Sequence, residues 1–272
     1  MSSVHVTLGE FAAALALAAL AVAVSVVQRA QLERDIAIAA ARAFVQLSAI
    51  GYVVKIVVEQ DRLIFVIALL AAMTVVGALT ASRRAAAVPG VFWPLLIALA
   101  LAAAATLGLV VALGVFAAEP RYLVPGGGMV IGNAMTAAAV ALNRLGDDVR
   151  ADAPRIEATL ALRAQAREAL RPVVRRSLRS GLIPLIDSTK TTGLVFFPDT
   201  MVGMLLAGAA PVDAVRLQLV LLYVLLGAVA LAALTAVRSP NARSSPQRIS
   251  SASFLPRSSI ASMGPGITGH RK

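Results

Sequence analysis

Three charged side chains lie within a long apolar run between residues 181 and 208. Asp187 and Lys190 are spaced to pair on one face of a helix, and Asp199 follows a proline. A charge at membrane depth is costly, so it usually faces a bundle interior or a water-filled path. The residues therefore predict a path for a polar cargo. In the alternative, Asp187 and Lys190 form a neutralised pair that only permits insertion.

Breaks in the backbone accompany these charges, because Pro184, Gly193 and Pro198 interrupt the same run. Irregular backbone at membrane depth survives only where protein or a cavity covers it. Thr191 lies between the breaks, and its hydroxyl either lines the path or bonds back to a helix carbonyl. The run is therefore predicted to be an interrupted membrane segment rather than a lipid-facing anchor.

Uncharged polar side chains recur in two other apolar segments. Asn133, Thr136 and Asn143 lie near one another on a helical wheel, and small residues surround them. We expect these three to form hydrogen bonds between helices, since small residues let membrane helices approach closely. Gln46 lies deep in another segment, where it requires a partner from one of the two segments described above.

Metal-binding and nucleophilic residues are scarce. The chain has no cysteine, and His5 and His270 lie near its two ends. This excludes thiolate sites and argues against a zinc centre or a Ser–His hydrolase. Met135 and Met201 are either soft metal ligands or adaptable packing side chains. No phosphate-binding loop of the G-x-x-x-x-G-K-[ST] type is present, so any ATPase must be a separate chain.

The composition requires several membrane-spanning helices to position these residues. Of 272 residues, 59% are hydrophobic and 14% charged, against roughly 45–50% and about 25% in soluble domains. We predict an all-α, polytopic membrane helix bundle of about seven spanning helices. A six-helix alternative places 125–142 in the membrane interface. The predicted segments are 10–27, 36–58, 63–81, 92–117, 125–142, 182–208 and 213–237.

Arginines concentrate in alternate loops, including nine between residues 144 and 179. The positive-inside rule places these loops in the cytoplasm, the N-terminus outside and the C-terminus inside. We therefore expect a multi-pass protein of the cytoplasmic (inner) membrane. The formal net charge of +11 then reflects orientation rather than nucleic-acid binding, because no basic patch interleaved with aromatic residues is present.

Two regions flank or interrupt the apolar segments. Within the loop 145–180, residues 155–179 are predicted to form a charged amphipathic helix, broken near Pro172, that lies at the interface or docks into a partner. Residues 238–272 contain nine serines and five arginines and no acid. This tail is predicted to be disordered, which leaves 1–237 as the membrane domain.

Several of these motifs resemble the FetB-type iron-export ABC permease family, which is also related to the aluminium-tolerance ABC permeases. The resemblance covers about residues 10–237. The motifs are Gly-Asn-Ala-Met-Thr at 132–136, Leu-Asn-Arg-Leu at 142–145, Ile-Pro-Leu-Ile-Asp-Ser-Thr-Lys-Thr-Thr-Gly-Leu-Val at 183–195 and Met-Val-Gly-Met-Leu-Leu-Ala-Gly at 201–208.

The resemblance implies the permease subunit of an ABC exporter, which is not itself an enzyme and binds no cofactor directly. ATP would be used by a separate ATPase subunit, and the permease would form a homodimer. The implied role is efflux of iron or another metal ion. Nucleotide-sugar export of the UDP-glucose type is the alternative cargo, and a membrane partner protein that transports nothing is a third reading.

The resemblance also implies roles for particular residues. Arg163 and Asp199 stand where the family pattern has glycine. Asp187 and Asp199 would supply oxygen ligands to a divalent metal. The candidate path residues are Asp187, Lys190, Thr191, Asp199, Asn133, Thr136, Gln46, Met135 and Met201. The candidate ATPase-coupling residues are Glu157, Ala158, Arg163, Arg167, Pro172 and Arg176.

Overall fold

The computed structural model describes residues 7–28, 31, 33–88 and 90–239. Within these residues the chain forms helices and short connections, with no β-sheet. The predicted tail lies outside the described residues, apart from its first two positions. The helices are α1 (Leu8–Val27), α2 (Glu33–Gln60), α3 (Leu63–Arg84), α4 (Phe92–Ala112), α5 (Pro120–Ala151), α6 (Ala153–Ala161), α7 (Ala166–Thr191), α8 (Asp199–Leu206) and α9 (Pro211–Arg238).

Five helices are long and apolar enough to cross a bilayer: α2, α3, α4, α5 and α9. The all-α membrane bundle predicted from the sequence is confirmed. The first predicted segment corresponds to α1, and the segment 182–208 is divided between α7 and α8. The segment 125–142 lies inside α5, which has 32 residues and many buried side chains. This favours a spanning helix over an interfacial one.

Helix α5 forms the centre of the bundle and packs against α3, α4, α7 and α9. Small side chains make this possible. A Cβ built on Gly181 of α7 would lie 2.6 Å from the carbonyl oxygen of Ala137 and 2.9 Å from Cβ of Ala141, both in α5. Only glycine allows the two backbones to approach this closely.

The predicted break near Pro172 and the predicted interruption at Pro184 are both wrong, because α7 continues through both prolines. Leu170 and Val173 are buried in the main core cluster and hold this part of α7 in place. Their packing outweighs the hydrogen bond that proline removes. The chain turns earlier, before α7 begins, where Arg163 has a positive φ of 59°.

The pair formed by α1 and α2 is attached to the rest of the bundle near one end. Val57 of α2 is buried with Val66, Leu123 and Val124, and it is the one described residue of α2 that is buried. Ser25 donates a hydrogen bond of 3.1 Å to Glu33, which ties α1 to α2. The α2 side chains before Val57 therefore have little contact with the core of their own chain.

We expect Gly181→Val to destabilise the protein by about 1–3 kcal/mol, because the added side chain would force α7 away from α5. Gly227→Val is the matched control, since a Cβ at Gly227 in α9 has no neighbour within 4 Å. Thermal unfolding of the detergent-solubilised protein measures both. Equal midpoints for the two variants would contradict a close α5–α7 contact.

Candidate functional site

The predicted interruption lies between α7 and α8. Helix α7 ends at Thr191, and Gly193 has a positive φ of 82° that favours glycine. The connection is a compact turn, in which the Gly193 amide donates to the Phe196 carbonyl at 2.9 Å and Val195 donates to the Thr191 carbonyl at 3.0 Å. The backbone that leaves the helix is therefore partly satisfied within the turn.

The predicted pair on α7 is confirmed: Lys190 Nζ lies 3.3 Å from Asp187 Oδ1. The two side chains are 69% and 62% exposed, so the chain itself does not bury them. Asp187 lies six residues beyond Gly181, which is roughly 9 Å along the helix axis. Since Gly181 packs against the middle of α5, the pair lies well inside the bundle's length.

The hydroxyls near this pair bond back to their own helix. Thr191 donates to the Asp187 carbonyl at 3.0 Å, and Thr189 donates to the Leu185 carbonyl at 2.7 Å. Thr192 makes the same kind of bond to Ser188, at 2.8 Å. The structure therefore confirms that the Thr191 hydroxyl donates to a carbonyl of its own helix. The hydroxyl oxygen can still accept a hydrogen bond from another group.

The structure separates the three polar residues of α5. Asn143 donates to the carbonyl of Arg84 in α3 at 2.6 Å, so the interhelical expectation is confirmed there. Asn133 and Thr136 instead donate to carbonyls of their own helix, at 2.9 and 3.1 Å. The expectation is wrong for these two because both lie on an exposed face of α5.

Asp199 is the first residue of α8, is exposed, and makes no ion pair with the described residues. A carboxylate is favoured at this position because the helix dipole places partial positive charge there. This gives Asp199 a structural reason to be present, whatever further role it has.

The remaining path candidates are dispersed. Gln46 is exposed on α2, and its side chain has no hydrogen-bond partner in the part of the chain that the structure describes. Met135 packs near Gly77, since its sulfur lies 3.9 Å from a Cβ built there. Met201 is half-buried in α8. Packing is thus the role that the contacts support for Met135.

No group of three or more His, Cys, Asp or Glu side chains that could hold a metal occurs among the described residues. Asp187 and Asp199 lie on different helices, separated by the turn. A metal site built on these two carboxylates stays a prediction, and further ligands would have to come from other oxygen groups or another chain.

A network of ion pairs joins α5, α7 and the start of α6 at the end of the bundle where the arginines cluster, which we call the basic end. Asp148 is only 7% exposed and lies 3.2 Å from Arg144 Nε and 3.3 Å from Arg176 Nε. Arg176 also reaches Asp152, which in turn lies 3.1 Å from Arg155. One guanidinium thus bridges two carboxylates.

This network gives Arg176, a predicted ATPase-coupling residue, a structural contact with two carboxylates. The hydrogen bond from Arg176 lowers the pKa of the Asp152 carboxyl, and Arg155 adds to the effect. Sequence reasoning missed Asp148 and Asp152. The spacings of Arg144 with Asp148 and of Asp152 with Arg155 were the available signals.

The other coupling candidates surround α6. Glu157 and Ala158 are exposed on this short helix, while Ile156 is buried beneath them. Arg163 and Arg167 are exposed after it, and Leu162 is 84% exposed. We call Glu157, Ala158, Leu162, Arg163 and Arg167 the α6 surface. It combines an apolar side chain with charges and faces away from the bundle.

We expect Asp152→Asn to lower the thermal midpoint near neutral pH, because it removes the carboxylate that Arg176 and Arg155 contact. The lowered pKa means that this contribution is present above the ordinary pKa of about 4 and is lost as the pH falls through the lowered value. The difference from the unaltered protein should therefore disappear in acid.

Asp147→Asn is the control for that measurement, since the pair that Asp147 forms with Arg150 at 3.4 Å is exposed, and such pairs contribute little. A stability difference for Asp152→Asn that stays constant across the pH range would contradict the assigned ion pairs.

Several known proteins are similar to this chain over most of its length. UPF0014 membrane protein STAR2 of Oryza sativa subsp. japonica is 40% identical over 216 residues, covering 79% of this chain and 76% of that protein. Protein ALUMINUM SENSITIVE 3 of Arabidopsis thaliana is 37% identical over 224 residues, covering 82% of each. Probable iron export permease protein FetB of Escherichia coli (strain K12) is 32% identical over 236 residues, covering 87% of this chain and 91% of that protein.

No solved structure matches this chain. The family model described as "Uncharacterised protein family (UPF0014)" matches residues 8–243, which include every helix described above. Together with the long apolar helices, the match agrees with a multi-pass membrane protein. The chain belongs to the UPF0014 family of membrane proteins.

Proposed function

We propose that this chain is the permease subunit of an ABC exporter that moves iron or a related metal ion out of the cell, powered by a separate ATPase subunit. The observation that carries the proposal is the interrupted α7–α8 segment with its exposed Asp187–Lys190 pair. A relative named as a probable iron export permease supports the choice of cargo. Interrupted helices are a common way to build a cargo site at membrane depth.

A second copy of the chain would cover the polar faces that one copy leaves exposed. Asn133 and Thr136 on α5 and the Asp187–Lys190 pair on α7 are all exposed in the single chain. Lipid offers them no hydrogen bonds, so contact with lipid would be costly. A homodimer with a hydrated path between its two copies removes this cost. The weakly attached α1–α2 pair is also available for such an interface.

The ATPase subunit would bind the α6 surface. Helix α7 contains Arg167 of that surface and runs without a break to Thr191, a length of 26 residues, or roughly 39 Å. Arg176 joins α7 to the end of α5 through Asp148 and Asp152. A displacement of α6 on ATP binding would therefore reach the interrupted segment through a continuous helix.

The proposed orientation follows from the arginines. The basic end contains the α6 surface and would lie in the cytoplasm, where the ATPase subunit and ATP are found. The N-terminus would then lie outside and the C-terminus inside the cytoplasmic membrane. Nucleic acid has no role in this proposal.

The residues around the interruption favour a cation over a nucleotide sugar. Recognition of a diphosphate usually requires arginine. Residues 182–210 contain no arginine, and Lys190 is already paired with Asp187. Asp187 and Asp199 supply carboxylate oxygens, which suit a divalent metal ion.

ATP-driven uptake into inverted membrane vesicles tests the proposal. Vesicles that contain the chain and its ATPase subunit should accumulate Fe²⁺ when ATP is present, and should not accumulate UDP-glucose. Accumulation of UDP-glucose instead of Fe²⁺ would support the alternative cargo. No response to either substrate would support a membrane protein that transports nothing.

Exchanging the charges of the pair in the same assay decides the role of Asp187. Asp187→Lys combined with Lys190→Asp keeps a neutral pair, so the protein should still insert and fold. We expect Fe²⁺ uptake to be lost, because the carboxylate has moved by about one helical turn. Full uptake by the exchanged protein would mean that the pair only permits insertion.

A further inference from the structure

Gln218 of α9 is a buried amide without a partner. Gln218 as a whole is 8% exposed. Its Oε1 atom is fully buried and accepts no hydrogen bond from the described residues. The amide nitrogen likewise donates no hydrogen bond to a described residue. An unsatisfied buried polar group costs free energy, so its presence calls for a physical explanation. A leucine at the same place would pack without that cost.

The register of the helices places Gln218 at the level of the interruption. Helices α7 and α9 run antiparallel: Leu182 and Leu185 pack with Leu225 and Val229 in one cluster, and the other ends of both helices meet in the main core. Gln218 precedes Leu225 by seven residues and lies on the same face of α9. It is therefore roughly 10 Å farther from the basic end than Leu225 is. The corresponding position on α7, seven residues after Leu185, is Thr192, which follows the last residue of the helix.

The last turn of α7 also offers unused oxygen acceptors. The Ser188 carbonyl accepts from Thr192, and the Thr191 carbonyl accepts from Leu194 and Val195. Among the described residues, no hydrogen bond reaches the carbonyl oxygens of Thr189 and Lys190. The carboxyl end of a helix carries partial negative charge, so this turn favours a cation.

We propose that Gln218 Oε1 and the free carbonyl oxygens of Thr189 and Lys190 form a subsite for a divalent cation at the end of α7. This deepens the proposed metal export and rests on it. The three groups are all neutral oxygen acceptors, which are suitable ligands for a hard cation and unsuitable for a phosphate. The Gln218 amide donates to neither carbonyl, and its Oε1 has no partner among the described residues, so all three oxygens keep lone pairs that a cation can use.

The subsite differs from the carboxylate pair predicted from the sequence. Lys190 Nζ points back along α7 to Asp187, so its ammonium need not compete for the carbonyl end of the helix. Gln218 is on α9, which places the ion between two helices rather than on one. Movement of α7 relative to α9 would then bring the ligands together or separate them, which couples the ATPase stroke to cation release.

Because the chain contains no cysteine, cross-linking can test the placement directly. A short bismaleimide should join the two cysteines of the double variant Thr192→Cys and Gln218→Cys. A protease site introduced at residues 207–210 separates α7 from α9 on cleavage, so a gel shows whether the two parts remain linked. The control pair is Thr192→Cys with Tyr223→Cys, since Tyr223 is 65% exposed on another face of α9. A link in the control pair only would overturn the proposed level of Gln218.

Cation binding is tested with Gln218→Leu in the full complex of the chain and its ATPase subunit. We expect the variant to unfold at a higher temperature, because an unsatisfied amide is removed. The Fe²⁺ concentration for half-maximal ATPase stimulation should rise at least about tenfold, as expected when one ligand oxygen to a charged group is lost. Gln218→Glu keeps an oxygen ligand and should retain the Fe²⁺ response.

Thr106→Val in α4 is the matched control. Thr106 is buried to a similar extent, at 9% exposure, and its hydroxyl bonds to the Ala102 carbonyl of its own helix. This variant should leave the Fe²⁺ response unchanged. An unchanged response in Gln218→Leu, with normal stimulation of the unaltered protein, would overturn the subsite alone. Lack of stimulation in the unaltered protein would overturn the proposed metal export and the subsite with it.

Discussion

The contact between α7 and α5 at Gly181 is the constraint on which the other features depend. Gly181 lies against the backbone of Ala137 because neither helix has a larger side chain there. On the basic side of this contact, Arg176 joins the same two helices through Asp148. On the other side, α7 continues to the interruption that carries the polar residues. One helix thus connects the α6 surface to the proposed cargo site.

A bilayer supplies no hydrogen bonds, and this limits where the polar residues of such a helix can face. The chain satisfies most of them locally, by back-bonding of hydroxyls and by the Asp187–Lys190 pair. Asn133 and Thr136 also use carbonyls of their own helix, which leaves their outer surface polar and exposed. These exposed polar residues support the proposed hydrated path between two copies of the chain.

Local spacing predicted much of this from the sequence. The Asp187–Lys190 pair follows from helical spacing alone, and the end of α7 follows from Gly193 and Pro198. The continuity of α7 through Pro172 could not be predicted, because it depends on the burial of Leu170 and Val173 by distant helices. The orientation of Asn133 depends on which face of α5 the neighbouring helices occupy, so it too is a tertiary property.

Contacts between distant residues and the burial of single groups were the least predictable features. Arg176 lies 28 residues from Asp148 along the chain, and the sequence offers many other arginines that could take its place. Gln218 gave no signal, because a glutamine on a helix is ordinary until its burial is known. Both residues gain their importance only when α5, α7 and α9 are assembled.

The proposed path requires the exposed polar face of α5 to border water within the membrane. The most direct measurement labels a single cysteine, introduced as Asn133→Cys into this cysteine-free chain, in native membranes. Modification by a charged, water-soluble maleimide is the predicted result. Modification only by a lipid-soluble maleimide would mean that this face contacts lipid, and would contradict a hydrated path.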